Sequence, residues 1–107
     1  MNALLDAAPV GLPTVAYSAL PPEGQDILGR IVGSYDFDHD KDGTVFGNRE
    51  RLLPAQKRGY YREYTVETPG VSHRGARRLV CGGTQPRAPA HCFYTADHYA
   101  SFRQVVH

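Results

Sequence analysis

The chain has 107 residues and a net charge of +1; 41% of its residues are hydrophobic and 21% are charged. This length suits one domain, and the composition is that of a folded globular protein rather than of a disordered chain. No apolar run has the length of a membrane span, and the N-terminal residues lack both the basic start and the apolar segment of a signal peptide, so we expect no membrane partner.

One helix is predicted near the N-terminus, in LPPEGQDILGRIVG (20–33). Prolines and an acidic residue stand where a first helical turn favours them, and a glycine follows the last apolar residue. Ile27, Leu28, Ile31 and Val32 form one apolar stripe. Further along the chain, alternation and β-forming residues predict short strands at TVFGN (44–48), YYREYTVE (60–67), ARRLVC (76–81), CFYT (92–95) and YASFRQVV (99–106).

This order of elements predicts the α+β class, with one N-terminal helix packed on an antiparallel β-sheet. The helix is expected to cover one face of the sheet. We expect residues 1–107 to form a single domain, with residues 1–13 as a poorly ordered N-terminal extension.

The two cysteines, Cys81 and Cys92, fit no metal-ligand spacing. One interpretation is a buried thiol at Cys81 and an incidental one at Cys92. The other is a local disulfide that restrains the Gly- and Pro-rich loop between them. The sequence leaves both open.

The stretch DHDKDGTVFGNR (38–49) matches the opening of an EF-hand calcium loop, with acids at its first, third and fifth positions and glycine at its sixth. The twelfth position, which requires a bidentate glutamate, is Arg49. Pro54 also disfavours the helix that should follow. We therefore predict a solvated acidic turn and no metal or other cofactor.

Charged side chains are concentrated on the predicted hairpin that follows. If its turn centres on residues 70–71, Glu63 lies directly opposite Arg78, and Glu67 lies opposite Arg74. Side chains that oppose each other share a face of the sheet, so a carboxylate and two guanidinium groups converge there. Cross-strand ion pairing on a solvated face, at roughly 0.2 to 1 kcal/mol per pair, is the alternative to a functional site.

Several long blocks resemble the guanyl-specific microbial ribonucleases, the superfamily that includes barnase, and especially its short actinobacterial members. They are YSALPPEGQDIL (17–28), DGTVFGNRERLLP (42–54), GYYREYTVETPG (59–70), RGARRLVCGG (74–83) and YTADHYASF (94–102). The resemblance implies a helix packed on an antiparallel sheet. It also implies metal-independent cleavage of single-stranded RNA on the 3′ side of guanosine.

By this resemblance the catalytic residues are Glu63, His98, Arg74 and Arg78. Glu63 corresponds to the general base that deprotonates the ribose 2′-OH, and His98 to the general acid that protonates the departing 5′-oxygen. Arg74 and Arg78 correspond to the arginines that balance charge on the phosphoryl oxygens. Tyr99 resembles the family's phosphate-contacting tyrosine.

The resemblance assigns base recognition to the segment Phe46, Gly47, Asn48, Arg49 and Glu50. Its backbone N–H groups would bind guanine O6 and N7, and Glu50 would accept hydrogen bonds from N1–H and N2–H₂. Phe46 would offer an aromatic surface for the base, although ordinary core packing is the alternative. Gly47 stands where close relatives have a longer polar residue.

The sequence departs from the family pattern at two other places. Ala16 stands where relatives place a cysteine bonded to one near their C-terminus, and the loop GGTQPRAPAH (82–91) is longer than in the short members. The resemblance implies a secreted enzyme, with single-stranded RNA and an acidic barstar-like inhibitor as partners. Because the sequence shows neither the terminal disulfide nor a leader, the C-terminal domain of a delivered toxin is the other location that we consider, and in both cases we expect a monomer. The alternative functions are a non-catalytic single-stranded RNA-binding module and an inactive toxin-like domain.

Overall fold

The computed structural model describes residues 11–107 and contains one α-helix and six strands. In chain order the elements are β1 (Thr14–Ala16), a 3₁₀ turn (Tyr17–Ala19), α1 (Pro22–Gly33), β2 (Thr44–Val45), β3 (Tyr61–Thr65), β4 (Arg78–Gly82), β5 (His91–Thr95) and β6 (Arg103–Val106). The strands form one sheet in the order β1-β6-β5-β4-β3-β2. The α+β class is thus confirmed, with one helix packed on one sheet.

The sheet is mixed rather than wholly antiparallel. Strands β2 to β6 pair with one another antiparallel, as predicted, but β1 joins the edge strand β6 in parallel. The sequence pattern did not predict β1, because its three residues are too few to show alternation. Pro13 continues the pairing, since its carbonyl accepts the amide of Gln104 at 2.8 Å.

The predicted extension over residues 1–13 falls mostly outside the described residues, because residues 1–10 are not among them. The last three residues of that range lead directly into the sheet. Leu12 packs against the core, and Pro13 bonds to β6.

Helix α1 begins and ends close to the predicted positions. The carbonyl of Pro21 accepts the amides of Gly24 and Gln25, and Gly33 is the last helical residue. Ile27 and Ile31, one turn apart, are buried against the sheet, whereas Val32 is 61% exposed. The predicted stripe was too wide by that residue, because Val32 lies about 100° around the helix from Ile31.

The sheet buries two hydrophobic clusters, one on each face. The cluster beneath α1 contains Ile27, Ile31, Tyr64, Val66, Leu79, Cys81 and Cys92. The cluster on the opposite face contains Leu53, Tyr61, Val80, Phe93 and Phe102, and loop residues cover it. This second face carries the candidate site.

The register of β3 on β4 differs from the prediction by two residues. Glu63 lies opposite Val80, and Arg78 lies opposite Thr65. The predicted register requires a tight hairpin turn at residues 70–71. Instead, the chain turns at residues 68–71, where the Val71 amide donates to the Thr68 carbonyl. Several more loop residues follow before β4 begins at Arg78, so the connection is longer on the β4 side. A shift of two keeps each side chain on its predicted face.

The acidic turn over residues 38–43 has structural contacts. The carboxylate of Asp42 accepts the amide of Thr65 at 2.7 Å, and Asp38 pairs with Arg30 at 3.2 Å. Glu67 pairs with His39 of this turn rather than with Arg74, which corrects the predicted hairpin pair. Within residues 11–107, no group of three or more His, Cys, Asp or Glu side chains could hold a metal ion.

Cys81 and Cys92 form a disulfide, which decides between the two interpretations of these residues. They are directly opposed in the β4–β5 ladder, so the bond links neighbouring strands beneath α1.

Over residues 11–107, no helix has the length and apolar character that a bilayer crossing requires.

Candidate active site

Glu63 is the central carboxylate of the second sheet face. It lies in the middle of β3, and its side chain is only 17% exposed. The hydroxyl of Tyr99 donates a hydrogen bond to Glu63 Oε1 at 2.8 Å, and Arg74 Nη2 donates to the same oxygen at 3.4 Å. A half-buried carboxylate thus has a hydroxyl and a guanidinium group directed at it.

Arg74 reaches Glu63 from the β3–β4 connection, not from a paired strand. Its Nε donates to Thr65 Oγ1 at 3.0 Å, which fixes the guanidinium plane beside the carboxylate. Gly75, which follows, has a left-handed φ of 72°, a conformation that glycine adopts without steric cost. The sequence predicted that Arg78 would lie against Glu63, but in the structure the arginine that contacts Glu63 is Arg74.

Arg78 lies deeper, at the start of β4, and is 2% exposed. Its Nη1 donates to the carbonyls of Gly75 (3.1 Å) and Arg77 (2.7 Å), and its Nε has no partner within the described chain. The guanidinium carbon is 5.9 Å from the centroid of the Tyr99 ring. Arg78 therefore places a buried positive charge beneath the residue that bonds to Glu63.

His98 and Tyr99 lie on the loop between β5 and β6. Both have left-handed backbone conformations, with φ of 53° and 74°, which are uncommon for residues other than glycine. The His98 amide donates to the carbonyl of Ala76 at 2.9 Å, so this loop is docked on the connection that carries Arg74. The His98 side chain is exposed.

These groups open into a cleft of 690 Å³. Its lining residues are Phe46, Gly47, Asn48, Arg49, Glu50, Leu52, Glu63, His98, Tyr99, Ala100 and Phe102. The predicted base-recognition segment and two of the predicted catalytic residues thus share one cavity. Arg74 and Arg78 lie beside and beneath it.

Within the 46–50 segment, the side chains take different positions. The centroid of the Phe46 ring is 5.0 Å from that of Tyr99 and 5.9 Å from that of Phe102. Phe46 therefore packs against core residues, as the alternative interpretation expects, and also lines the cleft. Glu50 and Arg49 are exposed at the cleft.

Asn48 braces the loop instead of presenting its side chain to a ligand. Its amide group donates to the carbonyl of Leu53 at 3.0 Å, and its oxygen accepts the amide of Leu53 at 3.2 Å. Its φ of 53° also turns the chain, as asparagine tolerates better than most residues. Gly47 does not have a left-handed φ, and a Cβ there would meet only the Arg49 side chain, at 3.6 Å.

Burial governs the protonation of the aromatic hydroxyl in the site. Desolvation, reinforced by the hydrogen bond to Glu63, raises the pKa of Tyr99 to about 12. The hydroxyl therefore stays protonated over the neutral range and donates to the carboxylate. In the same loop, hydrogen bonds from Ser101 and then Thr95 lower the pKa of Asp97.

Sequence reasoning did not single out Thr95, Asp97 and Ser101, whose side chains bond to one another around the His98 loop. The available signal was a set of short polar residues close to a histidine, a composition that favours local turns. Leu52, Ala100 and Phe102 of the cleft wall were also missed, because no pattern distinguishes them from ordinary loop residues.

A carboxylate, an imidazole and two guanidinium groups beside one cleft form a set that can move protons at a phosphodiester and balance its charge. Comparison with known proteins agrees with this class of site. The sequence profile of the ribonuclease family matches residues 5–106. The chain belongs to the ribonuclease family.

Characterised relatives are similar over most of this chain. It is 51% identical over 92 residues to guanyl-specific ribonuclease Sa of Kitasatospora aureofaciens, covering 86% of this chain and 92% of that protein. It is 53% identical over 91 residues to guanyl-specific ribonuclease Sa3 of the same organism, covering 85% of this chain but 62% of the longer Sa3. Guanyl-specific ribonuclease St of Saccharopolyspora erythraea is 45% identical over 96 residues, with 90% of each chain covered.

Solved structures of ribonuclease Sa2 share the fold. A crystal structure of Sa2 with guanosine-2′-cyclophosphate superposes with a TM-score of 0.80 at 40% identity, covering 90% of this chain and 97% of that one. A structure from a study of Sa2 complexes with mononucleotides has a TM-score of 0.83 at 39% identity, covering 94% and 98%.

Proposed function

We propose that this ribonuclease cleaves single-stranded RNA on the 3′ side of guanosine, through a 2′,3′-cyclic phosphate and without a metal ion. One observation carries the proposal: the carboxylate of Glu63, the imidazole of His98 and the base-recognition segment 46–50 line the same cleft. A nucleotide whose nucleobase binds along that segment would therefore have its 3′-phosphate in the cavity that Glu63 and His98 line. The guanosine complexes of Sa2 and the guanyl-specific relatives support guanine as that base.

In the first step, Glu63 removes the proton from the ribose 2′-OH, and the 2′-oxygen attacks the adjacent phosphorus. The bond from phosphorus to the 5′-oxygen breaks, and the imidazolium of His98 gives its proton to that oxygen. Arg74 and Arg78 stabilise the negative charge that develops on the phosphoryl oxygens. Because Tyr99 and Arg74 both direct hydrogens at Glu63, they hold the carboxylate in one orientation.

In the second step, the roles of the two groups reverse. His98, now neutral, removes a proton from water, and the water oxygen attacks the phosphorus of the cyclic phosphate. The bond from phosphorus to the 2′-oxygen breaks, and Glu63 returns its proton to that oxygen. The product is a guanosine 3′-phosphate end. Glu63 and His98 carry out all the proton transfers of both steps, so the scheme requires no cofactor.

Guanine selectivity follows from a carboxylate at the base site. Glu50 is exposed at the cleft and can accept both N1–H and N2–H₂ of guanine. Adenine has an acceptor at N1, so the same carboxylate repels it. The brace between Asn48 and Leu53 keeps this segment in the turn that presents its backbone to the base.

The partners and location follow from the same proposal. A guanyl-specific ribonuclease endangers the RNA of the cell that makes it, so we propose secretion, as a free enzyme or as the C-terminal domain of a delivered toxin. An acidic barstar-like inhibitor would close the cleft by docking against Arg74, with the buried charge of Arg78 adding to the positive potential there. We also propose that the enzyme acts as a monomer, since all the groups that the proposed scheme uses lie on one chain.

The proposed roles of the acid and the base are tested by Glu63→Gln and His98→Ala. Each change is expected to lower kcat for a GpU dinucleotide by roughly 10²- to 10⁴-fold, the usual contribution of a general acid or base. The thermal unfolding midpoint should remain above the assay temperature, since neither side chain belongs to a hydrophobic cluster.

A matched control is Glu67→Gln, which neutralises a carboxylate on the same hairpin but outside the cleft. It should leave kcat close to that of the parent. If Glu63→Gln also keeps the parent's turnover, Glu63 is not the base and the proposed mechanism fails.

A further inference from the structure

The loop that carries His98 and Tyr99 is held by three side chains that do not line the cleft. Thr95 Oγ1 donates to Asp97 Oδ1 at 2.8 Å, and Asp97 accepts the Ser101 amide at 2.9 Å and the Ser101 hydroxyl at 2.6 Å. Thr95 Oγ1 also accepts the amide of Tyr99 at 3.1 Å and that of Asp97 at 3.3 Å. We call Thr95, Asp97 and Ser101 the loop clamp.

The clamp holds a backbone that would not persist unaided. His98 and Tyr99 are consecutive residues with left-handed φ, and such conformations are kept only where the surroundings determine them. Thr95 is 1% exposed and belongs to β5, so the clamp is anchored in the sheet. On the other side of the loop, the bond from the His98 amide to Ala76 docks it on the Arg74 connection.

The clamp and the cleft face different sides of this loop. His98, Tyr99 and Ala100 line the cleft that contains Glu63, whereas Asp97 and Ser101 line a separate depression beside Arg103. Asp97 therefore does not line the cleft, and its contact with the Ser101 amide links it to the backbone of the loop that carries His98. The hydrogen bonds from Ser101 and Thr95 lower its pKa, which keeps it as an acceptor for the clamp.

We infer that Thr95, Asp97 and Ser101 are positioning residues for the general acid, because they fix the backbone from which His98 reaches the 5′-oxygen of the leaving group. The inference rests on the proposed function. We expect proton donation to be more sensitive to the clamp than attack by the 2′-oxygen, because the clamp reaches Glu63 through the Tyr99 hydroxyl, and Arg74, which lies outside the clamp, also bonds to Glu63. The rate of such a step depends strongly on the position of the acid, since a misplacement of about 1 Å can lower the rate by on the order of 10²-fold.

The test compares two substrates that differ only in the leaving group. In GpU the leaving 5′-oxygen is strongly basic and needs a proton from His98. In guanosine 3′-(p-nitrophenyl phosphate) the leaving p-nitrophenolate is weakly basic and departs without one. Both substrates use the same base site and the same attack by the 2′-oxygen, so an effect confined to GpU reports on the acid.

The variants are Thr95→Val, which removes the hydroxyl from a residue of nearly the same shape, and Asp97→Ala. We expect each to lower kcat for GpU by roughly 10- to 100-fold, with KM little changed, and to lower kcat for the p-nitrophenyl ester only slightly. Thr95→Ser, which keeps the hydroxyl, should restore turnover of GpU. His98→Ala should give the same pattern with a larger loss.

Folding is checked by the thermal unfolding of each variant. Ser101→Ala removes one clamp bond from an exposed residue, so it provides a variant that folds if Thr95→Val does not. Equal losses on the two substrates, or undiminished turnover of GpU, would overturn the inference. If the parent enzyme cleaves neither substrate, the proposed function itself fails, and the inference fails with it.

Discussion

Glu50 is the residue on which guanine selectivity depends in this account, and it is separate from the residues that act on the phosphate. It lies on the loop between β2 and β3, whereas Glu63 lies within β3. Glu50→Ala should leave the N1–H and N2–H₂ donors of bound guanine unpaired, and an unpaired group at a polar site costs about 1 to 3 kcal/mol. We expect kcat/KM for GpU to fall by roughly 10- to 100-fold while that for ApU changes little.

The control for that measurement is Asp40→Ala, which removes an exposed carboxylate of the acidic turn, outside the cleft. It should keep the parent's ratio of GpU to ApU cleavage. An unchanged ratio in Glu50→Ala would mean that guanine is recognised by other residues.

Residue roles at the site were predictable to the extent that they follow from motifs. The blocks that contain Glu63, His98 and the 46–50 segment are long enough to assign by resemblance, and the structure brings these residues to one cleft. The partner of Glu63 was not predictable, because it depends on how the chain leaves the hairpin, and Arg74 takes the place expected for Arg78. Asn48 has a bracing contact that only the folded loop creates.

At the scale of elements, the long loop between β4 and β5 has a structural role that its sequence did not reveal. Arg87 of this loop donates from Nη1 to the carbonyls of Arg30 (3.0 Å), Tyr35 (3.2 Å) and Ile31 (3.4 Å). Its guanidinium carbon is also 4.5 Å from the centroid of the Phe37 ring. A positive charge at the C-terminal end of a helix is attracted to the partial negative charge of the carbonyls in the last turn.

Arg87→Ala should therefore destabilise the protein by about 1 kcal/mol, the order expected for an exposed cation at a helix C-terminus. Chemical denaturation measured by circular dichroism provides the free energy of unfolding. Arg58→Ala, at another exposed arginine, is the control and should stay within about 0.5 kcal/mol of the parent. Equal stability of the two variants would show that Arg87 does not stabilise α1.

Element types and faces could be predicted from the sequence, but element pairing could not. Alternation along β3 and β4 places each residue on the correct face, because a strand's side chains alternate whatever its partner. The two-residue error in register came from the turn, since residues 72–76 add a loop that no turn motif indicates. The parallel pairing of β1 with β6 joins the two ends of the described chain, and local sequence carries no signal for such contacts.

At the scale of the whole molecule, buried tyrosines predict how stability depends on alkaline pH. Burial raises the pKa of Tyr61 and that of Tyr99 to about 12, from an ordinary value of 10.0. Below pH 10 both residues keep their protons in the folded and unfolded states alike. Between about 10 and 12 the unfolded chain loses these protons while the folded protein retains them, so the free energy of unfolding falls as pH rises.

The prediction is checked by denaturant unfolding at a series of alkaline pH values, with tyrosinate absorbance measured in parallel. Tyr61→Phe removes one of the two groups, so its stability should decline less steeply over this pH interval, even though it loses the bond to the Pro54 carbonyl. An identical slope in the variant and the parent would contradict the assignment of the alkaline loss to Tyr61.

The central claim is that one cleft both recognises guanine and cleaves the phosphodiester beside it. The most direct measurement incubates the protein, in excess EDTA, with a single-stranded oligoribonucleotide that contains one internal guanosine, and identifies the products by mass. We expect one cut, with a 5′ fragment that ends first in guanosine 2′,3′-cyclic phosphate and later in a 3′-phosphate, and no cut with Glu63→Gln. RNA that is bound but intact, or that is cut equally at all four bases, would contradict it.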